Sequence, residues 1–117
     1  MRRALAILLA LAACQGDDSA TTAETADTGP SLCDDAPVVT WENFGSGFTT
    51  ESCQACHAST STDRQGAPEA VVFDTEEDAL AHADSILGRV IDTMDMPPQG
   101  GVTDDDRYLV EVWLSCP

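Results

Sequence analysis

Three stretches of this chain carry apolar residues at helical spacing, and each predicts a helix. The first runs from Glu42 or Asn43 to His57, with Phe44 and Phe48 four apart on one face. Gly45 and Gly47 weaken it locally but let another backbone come close. A short pre-helix followed by a helix from Thr50 is the alternative reading. The second begins after Phe73, where Asp74 and Glu77 have the spacing of a capping box. Leu80, Ala83, Ile86, Leu87, Val90 and Ile91 then form one apolar stripe, which Met94 continues toward the core. His82 and Arg89 fall off that stripe, so His82 reads as a surface residue. The last helix starts at an N-cap Thr103, with Asp104, Asp105 and Asp106 suited to the positive end of its dipole. Tyr108, Leu109, Val112 and Trp113 make its buried face, with Arg107 and Glu111 as an exposed pair opposite. Between the helices lie a loop containing Gly66-Ala67-Pro68 and the strap Met96-Pro97-Pro98, whose prolines favour extended backbone.

The N-terminus follows another pattern. Met1-Arg2-Arg3 precedes an uncharged apolar run over residues 4–10, too short to span a bilayer as a mature helix. It reads as a secretory signal over residues 1–13. Its end, Leu11-Ala12-Ala13-Cys14, resembles the lipobox of bacterial lipoproteins. That resemblance implies cleavage before Cys14, acylation of Cys14 and residence in the bacterial cell envelope, either facing the periplasm or on the outer membrane. Residues 14–32 then form the lipidated Cys and a flexible acidic linker, since residues 15–31 contain no aromatic side chain and cannot offset their ordering entropy by burial. Residues 33–117 are left as one small domain with a limited core of its own.

Charge narrows the partners. The chain's net charge is −16, and −18 without Arg2 and Arg3. No Lys occurs, and beyond the signal only Arg64, Arg89 and Arg107 are basic. Nucleic acid is a poor partner for such a chain, because phosphate binding needs a basic patch. A redox partner with a basic docking face suits it, as does plain solubility.

Chemistry concentrates in Cys53-Gln54-Ala55-Cys56-His57. A Cys-x-x-Cys-His run reads as a c-type haem attachment site. Two thiols one helical turn apart can join the two vinyl groups of one haem edge, and the adjacent His reaches the iron. About forty residues on, Met96 offers a soft thioether as sixth ligand, a pairing that raises the iron's potential. Together with the closing helix, these residues resemble the small monohaem cytochromes c of the His/Met type, from Trp41 to Cys116. The resemblance implies an all-α, cytochrome c-like fold of three main helices around one covalently bound haem c. It also implies that a Pro carbonyl accepts from the iron-bound His, a role that falls to Pro68. Gly45 matches the family's Gly where the first and last helices cross. Arg64, in the same loop as Pro68, is a candidate partner for a haem propionate.

Five cysteines remain to be shared out. With Cys14 on lipid and Cys53 and Cys56 on haem, Cys33 and Cys116 are left. In an oxidising compartment they read as a disulfide, worth about 4–5 kcal/mol in the chain-entropy model. The expected function is single-electron transfer between extracytoplasmic redox partners by a membrane-anchored carrier, not an enzyme. No Ser/His/Asp set or phosphate-cradling Gly loop is visible. Two alternatives stay open. One is a haem sensor, or a haem subunit of a redox enzyme, with a labile sixth ligand. The other is a haem-free CxxC protein of thiol-redox or metal-binding type.

Overall fold

The computed structural model describes residues 31–116, which are helical with no strand among them. The expected anchor at Cys14, the signal and the linker up to residue 30 lie outside the described residues. Among the described residues no helix is long and apolar enough to cross a membrane.

Thr40 opens the first helix. Its hydroxyl accepts from the Asn43 N–H at 3.3 Å, and the Asn43 side chain accepts from the Thr40 N–H at 2.7 Å. This reciprocal cap satisfies donors that a helix start leaves orphaned. Asn43 also donates to the Val38 carbonyl at 2.9 Å, tying the N-terminal segment down. The chain then makes a wide π-helical turn, Trp41–Gly45, before the α-helix Ser46–Ser52. Cys53 breaks the regular geometry with φ −121°, and a last turn, Gln54–His57, re-aims the end of the helix. The helix therefore starts near residue 42 and not at Thr50.

Gly45 is where the first helix meets the last. A Cβ there would lie 2.7 Å from Trp113 Cζ2 and 3.0 Å from Trp41 Cε3. Trp41 and Trp113 pack with ring centroids 5.9 Å apart, and Phe44 meets Trp113 edge-on at 6.5 Å. Phe44 also stacks on Phe48 at 5.5 Å, as their spacing predicts. Gly47, two residues on, faces open space. The two glycines should therefore respond with opposite sign to the same substitution. Gly45→Ala is expected to cost about 1–3 kcal/mol by overpacking. Gly47→Ala should stabilise by about 0.5–1 kcal/mol by favouring the helix. Urea denaturation of both variants checks the pair; equal effects would contradict the close approach at Gly45.

The second helix starts one residue later than its sequence suggests. Thr75 is the cap, and Asp78 is its reciprocal partner. Asp74 instead accepts from the Ser59 N–H through both carboxylate oxygens at 3.1 Å. The helix runs over Glu76–Ala81, breaks at His82, resumes over Ala83–Ile86 and ends in a π-helical turn, Leu87–Asp92. The break shifts the phase of the apolar stripe. Ala79, Ile86 and Val90 are buried, whereas Leu80 is 49% exposed. Met94 does not continue the stripe into the core. It is 59% exposed at φ +52°, beyond the helix end, where a left-handed residue terminates the last turn. His82 is half-buried, its ring edge-on to Phe73 at 5.9 Å, and is not a free surface residue.

The closing helix, Asp104–Ser115, is capped by Thr103 with Asp106 as reciprocal partner. Val110, Val112 and Trp113 are its buried residues, and Tyr108 is 42% exposed. Arg107 does not form the expected exposed pair with Glu111. Its guanidinium donates to the Val90 carbonyl at 2.9 Å, at the end of the second helix, where a cation also suits the helix dipole. The core gathers Phe48, Phe73, Ala79, Ile86, Val90, Val110 and Trp113 from the helices and the returning loop. Cys33 and Cys116 are joined at the edge of this core, with Cα atoms 5.5 Å apart.

Candidate functional site

The end of the first helix and the loop that follows are stitched together by backbone carbonyls. The Phe73 N–H donates to the His57 carbonyl at 2.8 Å, and the Gln54 side chain donates to the Phe73 carbonyl at 2.8 Å. With Asp74 on Ser59, these bonds lay residues 71–74 alongside the Cys53–His57 turn. Gln54, an unassigned position within the CxxCH run, thus positions the loop.

His57 is half-buried. Its Nδ1 lies 3.0 Å from the Val71 carbonyl oxygen, and its ring packs on Phe73 with centroids 5.0 Å apart. A carbonyl can only accept, so Nδ1 carries the proton. The neutral ring then has its lone pair on Nε2, the tautomer a metal-binding imidazole needs. The acceptor is Val71, not Pro68. The Pro68 carbonyl is already engaged by the Val71 N–H at 3.0 Å and by Arg64 at 2.8 Å.

Arg64 sits inside the same loop and donates to four carbonyls. Nε reaches Ala67 at 3.3 Å and Nη1 reaches Ala58 at 2.8 Å; Nη2 reaches both Pro68 and Val71 at 2.8 Å. These bonds take up most of the guanidinium's five N–H donors and brace the loop. Gln65 at φ +49° and Gly66 at φ +87° make the tight turn that folds the loop around it.

Cys53 and Cys56 are both half-buried and unpaired. Cys53 packs against the core, and burial pushes its thiol up to about 12. Thiol–disulfide enzymes need the opposite shift, because the thiolate is the nucleophile. A thiol whose folded value is raised adds stability below its unfolded value near 9, and that stability is lost as pH climbs toward 12. In chain made without haem, alkylation of Cys53 at pH 9 should therefore be slower than that of an ordinary thiol by about two orders of magnitude. Mass-mapped iodoacetamide labelling measures this; equal rates would contradict the burial of Cys53. Among the described residues no three His, Cys, Asp or Glu side chains converge on a metal-sized point.

Met96 lies outside this network, on the strap after the second helix. It is half-buried and is followed by the buried Pro97. Its N–H and that of Asp95 donate to the Arg89 carbonyl at 3.3 and 3.0 Å, folding the strap back on the helix end. Arg89 and Asp95 form an ion pair, and the Thr93 hydroxyl donates to Asp95 at 2.8 Å. The Thr93 bond, with help from Arg89, holds the Asp95 carboxyl below its ordinary value.

The residues present fit a covalently held haem by their chemistry. They supply two unpaired thiols one turn apart, an imidazole whose Nδ1 is taken by a backbone carbonyl so that Nε2 is left for a ligand, and a half-buried thioether. Comparison with family models, curated proteins and solved structures finds no match to the chain.

Proposed function

We propose that the chain is a lipid-anchored monohaem c-type cytochrome that carries single electrons between redox partners of the bacterial cell envelope. The observation that carries this reading is the Nδ1–H of His57 on the Val71 carbonyl, directly after two unpaired thiols. It prepares one nitrogen, Nε2, as a ligand before any metal arrives. Cys53 and Cys56 would hold the haem edge, and His57 and Met96 would be the axial ligands. Bound haem supplies a one-electron couple between ferrous and ferric iron. The chain's own part is to fix the His57 tautomer, to pack Phe73 against the His57 ring, and to present Met96 on a braced strap. The acidic surface favours a partner with a basic docking face.

Maturation in a host with c-type haem machinery tests the proposal. The denatured, acid-washed wild type is expected to keep its haem, and the Cys53→Ser/Cys56→Ser double variant to lose all of it. Complete loss from the wild type would end the reading. The raised Cys53 thiol weighs against the thiol-redox alternative.

A further inference from the structure

We propose that Arg64 is a positioning residue for His57, acting through the Val71 carbonyl to fix the imidazole and to raise the potential of the iron it binds. This rests on the haem reading. Val71 O accepts two bonds, from His57 Nδ1 at 3.0 Å and from Arg64 Nη2 at 2.8 Å. A carbonyl oxygen has two lone pairs, so both are occupied and the acceptor cannot swing to another donor. The other three carbonyls held by Arg64, on Ala58, Ala67 and Pro68, pin the loop on both sides of that oxygen.

The guanidinium also acts electronically. Among the described residues its charge has no carboxylate partner; the ion pair found there is Arg89–Asp95. Two donors on one oxygen compete, and the cationic one draws electron density toward itself. The Nδ1–H···O bond of His57 is weakened as an electron source, the imidazole is less negative, and it donates less to ferric iron. The nearby positive charge also disfavours the more positive oxidation state. Both effects raise the potential, and both vanish with the guanidinium.

Arg64→Lys keeps the charge but cannot span four carbonyls with a fork; Arg64→Gln loses both. Two quantities are read on the full-length protein: solvent exchange of the His57 Nδ1 proton by NMR in the reduced, diamagnetic state, and the midpoint potential. Arg64→Lys is expected to speed exchange by about tenfold, the lower range for loss of an outer-shell partner. Arg64→Gln should also shift the ferric/ferrous ratio toward ferric by about tenfold, or ~59 mV for a one-electron couple. A lower melting temperature with exchange and potential unchanged would show a structural brace only and overturn the proposal. A shifted potential with unchanged exchange would assign Arg64 to a haem acid group and overturn it equally. If the wild type carries no covalent haem, the functional reading fails on its own. The ¹⁵N tautomer and exchange of His57 in that same chain, with and without Arg64, then still decide whether Arg64 positions the ring.

Discussion

Replacing Cys33 and Cys116 with Ala is expected to lower the stability of the domain by about 4–5 kcal/mol. The bond closes a separation of 83 residues, so it removes much of the freedom of the unfolded chain. A domain of this size has little reserve, since native stabilities of about 5–15 kcal/mol are typical of larger folds too. The core is built from a few side chains, and the described segment before Thr40, residues 31–39, has no helix of its own. That segment is held by the disulfide and by Asn43 on the Val38 carbonyl. Haem bonds at Cys53 and Cys56 would not compensate, because they bridge residues three apart and constrain the unfolded chain little. Urea titration of the double variant measures the loss. The slope of free energy against urea should rise as well, since an uncrosslinked chain exposes more surface. A loss under about 1 kcal/mol would mean that the bond only tethers a loose terminus.

The helices were legible because their signals are periodic or local. Phe44 and Phe48 stack as their spacing requires, Thr103 caps the closing helix, and Gly45 lies under Trp113. The paired cysteines at the two ends of the domain were legible as the two left over once Cys14 and the Cys53–Cys56 pair are set aside for the expected lipid and haem. What escaped was mostly side chain to backbone. Any residue carries a carbonyl, so nothing in the sequence marks Val71 rather than Pro68 as the acceptor for His57. The same holds for the four carbonyls gathered by Arg64 and for Val90 under Arg107. The spacing pattern also assumed a regular second helix. The break at His82 rotates Ala79 into the core and Leu80 out of it, and the early stop at Asp92 puts Met94 in solvent. Asp74 and Thr75 are both good caps; the second won because Asp74 is held by the Ser59 N–H.

Met96→Ala is expected to abolish the Met–iron charge-transfer absorption of the oxidised protein and to lower its potential by tenths of a volt, on the order of the range that axial ligands command. Thioether sulfur is a soft donor that favours ferrous iron, and water in its place favours ferric. The neighbouring Met94 supplies the internal control. Both lie after the second helix, but Met94 is 59% exposed on a left-handed turn, whereas Met96 is half-buried and precedes the buried Pro97. The strap's bonds to the Arg89 carbonyl and the Arg89–Asp95–Thr93 cluster hold the backbone through Met96, so the two side chains differ in exposure and not in a loose main chain. Met94→Ala should therefore leave spectrum and potential unchanged. The ferrous wild type should bind carbon monoxide slowly or not at all, and the Met96→Ala protein quickly. If Met94→Ala alone removes the band, the wrong methionine has been assigned. If the wild type already binds carbon monoxide fast and neither substitution changes its spectrum, the sixth position is open, and the chain is a sensor or a catalytic subunit rather than a carrier.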